Sequence, residues 1–310
     1  MIFSHIAPSP ALQEFVRDYL IAHFVFDDVN PAGHKPYPPK PEQGITFFVG
    51  DRPRMVNLLT GEAEEAPRAS IFGQQVVRCD VRLPAEFLML RVHFRPGALF
   101  RALNVPLNEF DGSYFDAELV AGREVRDLSE QLAGTRSYVK MVALVERYLL
   151  GVVKRARQDV HRVDRAASRL MADPAHGSLD RLAAEACLSP RQLNRKFTER
   201  LGVGPKLYSR LARFHHAHVF KAAHPVVAWA TVAMEFGYTD YQHMVRDFKQ
   251  FANATPRAWL LEDAASPEIF LARCSAHLTD ASRSGRSTSN AAVRKDVRFV
   301  PRERGERGLP

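Results

Sequence analysis

Apolar positions along the 310-residue chain fall into two regimes. Before about residue 95 they come in short, dense runs of Phe, Val, Ile and Leu, broken by Pro, Gly, Asp and Asn. That pattern predicts strands over residues 21–26, 44–49, 55–59, 71–78 and 87–94. Five prolines within residues 30–41 predict a loop. Strands this short and this close together predict a small barrel or sandwich. From Pro96 the spacing becomes helical. Helices are expected over residues 96–103, 118–132 and 138–153, the last with Met141, Leu144, Val145, Tyr148 and Leu149 along one face. The basic stretch 154–169 then carries the connection to a second domain and that domain's first helix. Val163, Ala167 and Leu170 face inward there, and Asp173-Pro174 is the stop.

Between residues 178 and 260 the helical pattern repeats. In the first unit Ser178 is placed to cap a helix over 179–186, Asp180 suits its first turn, and Leu182, Ala183 and Ala186 face inward. Cys187-Leu188 forms a turn. Ser189-Pro190-Arg191-Gln192 has the form of a capping box with proline at the first helical position. The helix it opens buries Leu193, Phe197 and Leu201, shows Arg191, Asn194, Arg195 and Lys196, and stops at Gly202. In the second unit residues 230–236 are a helix, Gly237-Tyr238 a turn, and Thr239-Asp240-Tyr241-Gln242 a second capping box. Met244, Phe248 and Phe251 go inward; Tyr241, Gln242, Val245 and Arg246 stay outward. Ala183 aligns on Ala233 and Ser189 on Thr239 at an offset of 50. Leu193 aligns on Met244, Arg195 on Arg246, Phe197 on Phe248 and Pro205 on Pro256 at 51. One extra residue is therefore expected early in the second recognition helix. Between the units, residues 206–223 carry Leu207, Leu211, Phe214 and His218 at three-four spacing. They predict one helix about 27 Å long, near the ~34 Å of one turn of B-DNA.

Two outward helices bearing arginine and carboxamide groups suit DNA. A guanidinium bridges O6 and N7 of guanine, and a carboxamide does the same for N6 and N7 of adenine. Arg195, Arg246, Asn194 and Gln242 are of those types, while Gln192, Lys196 and Lys249 suit phosphates, which position without specifying. Charge supports this only weakly. The net +8 divides into −3 for residues 1–150, +3 for 151–177, +4 for 178–263 and +4 for 264–310, so as much comes from the tail as from the repeat. The length suits two domains, and 46% apolar residues with 20 Phe suffice for real cores. No run of about 18 apolar residues predicts a membrane span. Met1-Ile2-Phe3-Ser4-His5 does not open like a secretory signal. Cys79, Cys187 and Cys274 are scattered, as expected of reduced thiols in the cytoplasm.

Residues from about 160 to 260 resemble the C-terminal DNA-binding domain of AraC-type transcriptional regulators. The resemblance rests on Leu182-Ala183, on Ser189-Pro190-Arg191-Gln192-Leu193-Asn194-Arg195-Lys196-Phe197 and on Gly202-Val203-Gly204-Pro205. In the second unit it rests on Ala233, Phe236-Gly237-Tyr238-Thr239-Asp240, Arg246-Asp247-Phe248-Lys249 and Thr255-Pro256. It implies seven helices with two helix-turn-helix units, control of transcription initiation on double-stranded promoter or operator DNA, and RNA polymerase as a partner. Carried over by position, the base-reading residues are Arg191, Asn194 and Arg195 in the first unit and Tyr241, Gln242, Val245 and Arg246 in the second. Cys187 stands where the family often has Gly. Ala252-Asn253 stands where Gly is usual, though Asn tolerates the left-handed conformation. For the N-terminal part the resemblance implies a cupin-like barrel that senses a small molecule and helps form a homodimer. The expected fold class is α+β. A small β-barrel or cupin-like domain with helices (1–155) precedes an all-α domain of about seven helices (156–263) and a basic, disordered tail (264–310).

No other chemistry competes strongly. His5, His23, His34 and His93 stand apart, without the H-x-H pair of a metal-binding barrel, so no metal or other cofactor is expected. His215, His216 and His218 read as a half-buried helix face, with no partner at ligand spacing. Phe94-Arg95-Pro96-Gly97-Ala98 reads as a strand-to-helix turn, with an anion cradle beside Arg91 and Arg95 as the alternative. An alkyl-accepting repair protein would need a reactive Cys79, which lacks a Pro-Cys-His context. No hydrolase, zinc-protease or phosphate-loop motif is present, and no enzyme is expected. An architectural DNA binder with little sequence preference is the third reading.

Overall fold

The computed structural model describes residues 2–26, 34–56, 58, 61–110, 114–175 and 178–265. In its N-terminal part, β1 (Ile2–Ile6), β2 (Val16–Val25), β4 (Gly44–Phe48), β7 (Ala69–Phe72), β9 (Glu86–Phe94) and β10 (Tyr114–Asp116) form one sheet in the order β1-β2-β9-β4-β7-β10. A second sheet takes β3 (His34–Tyr37), β8 (Cys79–Arg82), β5 (Arg54–Val56) and β6 (Ala63–Glu65) in that order. Every pairing is antiparallel. The larger sheet is covered on both faces. Leu20, Ala22, Phe24, Phe87 and Met89 meet Val81 of the second sheet and Leu83 just beyond it. Tyr19, Ile21, Leu90 and Val92 face the helices α1 (Ala98–Leu103), α2 (Ala117–Ala121), α3 (Arg123–Ala133) and α4 (Tyr138–Arg155). Two covered faces explain why β4 and β9 read as unbroken apolar runs rather than as alternation.

The chain departs from the expected elements where burial is partial. Strands β1, β3, β6, β8 and β10 were not predicted by apolar runs. β3 lies within the proline-rich stretch expected to be a loop, and its Pro36 is tolerated because β3 is the edge of its sheet. The strand expected over 71–78 stops at Phe72. The helix expected over 118–132 is two helices, because Gly122 adopts φ +65° and breaks the path.

The C-terminal part has seven helices among the described residues: α5 (Arg162–Ala172), α6 (Leu179–Glu185), α7 (Pro190–Leu201), α8 (Pro205–Ala223), α9 (Trp229–Glu235), α10 (Tyr241–Ala252) and α11 (Pro256–Ala265). They enclose two cores. Val163, Leu170, Leu182, Leu193, Phe197 and Leu201 form the first, with Tyr208 from α8. Val232, Met244, Phe248, Phe251 and Trp259 form the second, with Leu211, Phe214 and Ala217 from α8. The long helix is thus a shared wall. The tail expected from 264 lies outside the described residues from 266 on. None of the described helices is long and apolar enough to cross a membrane.

Candidate nucleic-acid interface

The recognition helices are set by their caps. Ser189 Oγ accepts from the Gln192 backbone N–H at 3.2 Å, and Gln192 Oε1 accepts from the Ser189 N–H at 2.9 Å, with Pro190 at the first helical position. This is the capping box that the sequence predicts. Ser178, expected to cap α6, makes no side-chain cap bond. Ser189→Ala should therefore cost about 1 kcal/mol in urea denaturation and Ser178→Ala clearly less; equal costs would show that the box is not what holds α7.

The second cap corrects the expected alignment. α10 is capped by Asp240, whose Oδ1 accepts from the His243 N–H at 2.7 Å, and not by Thr239. A carboxylate there also suits the helix dipole. The turns match at an offset of 50: Leu188 N–H donates to Ala183 and Tyr238 N–H to Ala233, both at 2.9 Å. The caps, Ser189 and Asp240, match at 51, as do the core positions. The extra residue is therefore Thr239, in the turn, and not inside the recognition helix. Cys187 takes φ +53° where its counterpart Gly237 takes +72°, and Asn253 takes +54° at the end of α10. Both departures from the usual glycines thus leave the turn geometry intact.

Arg191, Gln192, Asn194 and Arg195 are exposed on α7, as are Gln242, Arg246 and Lys249 on α10. Tyr241 and Val245 are half-buried, and Tyr241 packs on the second core. Gln192 has its carboxamide oxygen engaged in the cap. Half-buried Lys196 donates to Glu199 at 2.9 Å. Lys249, with Gln250 and Asn253, lines a cleft of about 620 Å³ whose other wall includes Met55, Glu62 and Arg78 of the N-terminal part. The outward set thus concentrates on Arg191, Asn194, Arg195, Gln242 and Arg246.

Polar residues on the inner faces, which periodicity did not flag, anchor these helices. Arg200 near the end of α7 donates to Asp164 of α5 through Nε and Nη2, each at 2.6 Å. Arg210 of α8 donates to the buried Asp247 of α10 at 2.6 Å. Arg213 reaches the Gly237 carbonyl at 3.0 Å and lies over the Tyr238 ring. The N-terminal part touches both units. Gln43 Nε2 donates to the Leu201 carbonyl at 2.7 Å. Arg78 donates to Asp80 and to Glu262 of α11 and lies over the Trp259 ring.

Other candidates have structural occupations. His216 Nε2 lies 2.8 Å from the Met171 carbonyl, and His218 Nε2 lies 3.2 Å from Asp263 Oδ2. The turn at Gly97 is faced by Asp164 rather than open to an anion. Burial, with the charge of Asp80 adding to it, pushes the Cys79 thiol up to about 12. The thiolate that alkyl transfer requires is scarce there at neutral pH.

Residues 182–262 match the family of a helix-turn-helix domain. The C-terminal domain is an AraC-type helix-turn-helix domain. Residues 4–116 match a second family, the domain of unknown function DUF6597. The AraC-type domain makes the chain a DNA-binding protein of transcription regulation. No curated protein matches it in sequence. Among solved structures, ToxT from Vibrio cholerae O395 is 12% identical, with 82% of this chain and 100% of that chain covered at a TM-score of 0.44. ToxT from Vibrio cholerae strain SCE256 with bound unsaturated fatty acid is 12% identical, covering 79% and 95% at 0.44. The AraC-like transcriptional activator CuxR is 15% identical, covering 64% and 76% at 0.25.

Proposed function

We propose that the chain is a cytoplasmic, sequence-specific regulator of transcription initiation that acts by binding and not by catalysis. Residues 156–263 read promoter DNA through α7 and α10, and RNA polymerase is the partner there. Residues 1–155 sense a small molecule and hold two copies together. The observation that carries the reading is the pair of capped helices, each anchored on its inner face by an arginine–aspartate pair and each presenting arginine and carboxamide groups outward.

Arg195→Ala is expected to cost about 1–3 kcal/mol of binding and to relax preference at one half of a site selected from random duplexes. Unchanged affinity and preference would sink the assignment. Affinity that falls steeply with salt but shows no base preference would favour the architectural reading.

The sensing role is supported by a cavity between the two sheets. It is walled by Phe24, Phe48, Met55 and Met89 and bounded by Lys35 and Arg91. Arg91 is buried, and its guanidinium donates to the Thr46 and Tyr37 hydroxyls, each at 2.9 Å. A buried cation held by hydroxyls favours an anionic guest. The cavity measures about 30 Å³, so a larger guest enters by moving the flexible Met55 and Met89 side chains. Small amphipathic carboxylates should raise Tm where their neutral amides do not; equal effects would remove Arg91 from the recognition.

A further inference from the structure

The large sheet brings together three residues that lie far apart in sequence. β2 runs between β1 and β9, with His5 opposite Leu20 and His93 opposite Asp18. Strand alternation therefore puts His5, Asp18 and His93 on one face. Asp18 Oδ1 lies 2.9 Å from His5 Nδ1 and 2.8 Å from His93 Nδ1, and one ligand atom from each of the three residues falls within 4.8 Å of the others. Behind them, Asp18 Oδ2 accepts from Arg17 Nε at 2.7 Å, and Arg17 reaches Glu42 at 2.9 Å. Glu42 Oε2 lies 3.5 Å from His93 Nε2.

A neutral His93 cannot donate to both of its carboxylate neighbours. A neutral imidazole has one N–H. If His93 carries it on Nδ1, toward Asp18, the Nε2 lone pair faces the Glu42 carboxylate. If it carries it on Nε2, the Nδ1 lone pair faces Asp18 at 2.8 Å. An imidazolium would serve both carboxylates, and so would a metal ion on Nδ1 with the proton on Nε2.

We infer that His5, Asp18 and His93 form a binding site for a divalent transition metal ion. The ion takes the lone pairs of both Nδ1 atoms and of Asp18 Oδ1, and His93 then turns its Nε2–H to Glu42. A carboxylate behind a ligating histidine is the usual support of such a ligand. Two imidazoles and one carboxylate with open positions suit zinc or ferrous iron. Ligands ~2.0–2.1 Å from a tetrahedral ion stand roughly 3.3 Å apart, so the two gaps open by about half an ångström on loading. Asp18, Glu42 and Arg17 leave one net negative charge for the dication. The neighbouring Gln43 bonds the end of α7, which places the site beside a contact with the DNA-binding domain.

The full chain, stripped with a chelator and titrated calorimetrically with Zn²⁺ alone, should bind one equivalent at this site and gain thermal stability. His5→Gln, on the edge strand, and Asp18→Asn should each weaken uptake at least ~100-fold, and Glu42→Gln about 10–100-fold. Long-range ¹H–¹⁵N spectra of the wild type need no variant. Zn²⁺ should put the metal on Nδ1 and the proton on Nε2 of His5 and His93. The inference is overturned by failure of the wild type to bind Zn²⁺, or by an imidazolium at His93 that ignores Zn²⁺. It is equally overturned by uptake that survives His5→Gln but is lost in a His215→Gln/His218→Gln variant.

Discussion

Arg200→Ala is expected to cost about 3–5 kcal/mol of stability, read as a fall in the urea midpoint. Arg200 and Asp164 are each only 5% exposed. Their two parallel bonds, both 2.6 Å, are the bidentate geometry in which a guanidinium holds a carboxylate best. The same carboxylate accepts from the His161 backbone N–H at 3.2 Å, closing the capping box of α5. Arg200 also lies over the Phe100 ring of α1, 4.6 Å from its centroid. Gly97 is pressed against Asp164: at φ +78° it has no Cβ, and one placed there would stand 2.1 Å from Asp164 Oδ1. Removing the arginine leaves a carboxylate buried where α1, α5 and α7 meet, and desolvation of that charge is the main loss. Replacing both partners by apolar groups, Arg200→Met with Asp164→Leu, should recover part of it, because the pair adds little beyond its own desolvation but Asp164→Leu also removes the capping-box acceptor of α5. A cost under about 1 kcal/mol for Arg200→Ala would mean that water reaches the pair and that α7 is not locked to the N-terminal part.

What was legible in the sequence followed from locality. The Ser189–Gln192 box, the left-handed turns and the spacing of Leu193, Phe197 and Leu201 involve neighbours within one or two helical turns, so periodicity found them. The error at the second cap was also local. Thr239 and Asp240 are both good caps, three residues before Gln242 and His243 respectively, and only the geometry decides for Asp240. The N-terminal part was less legible because its second sheet is half-exposed: β8 buries Asp80 and Val81 but not Arg82, and no apolar run marks it. The His5–Asp18–His93 group was invisible for a different reason. Its members are 13 and 75 residues apart and meet only through strand pairing, so linear spacing carries no trace of them. The inner polar anchors Asp164, Arg200 and Asp247 look like surface residues by type and are betrayed only by their position on apolar faces.

Trp259→Ala should be as costly, about 3–5 kcal/mol, but the damage should be confined to one helix-turn-helix unit. Trp259 is fully buried and packs in one core with Phe214, Phe248 and Phe251. The His218 ring meets its edge at 5.7 Å, and Arg78 lies over it at 5.6 Å. Truncation opens a cavity against the inner face of α10 and removes the surface on which Arg78 rests. The first unit has its own core around Leu193, Phe197 and Tyr208, joined to the second through the shared wall of α8. Footprinting of Trp259→Ala on a selected site should therefore keep protection of one half and lose the other, since separately packed cores open separately. Trp259→Phe should be much milder, because Trp259 Nε1 makes no hydrogen bond and only volume is lost. Equal loss of both halves with Trp259→Ala would show that α8 transmits unfolding from one core to the other and that the two recognition helices stand or fall as one cooperative unit.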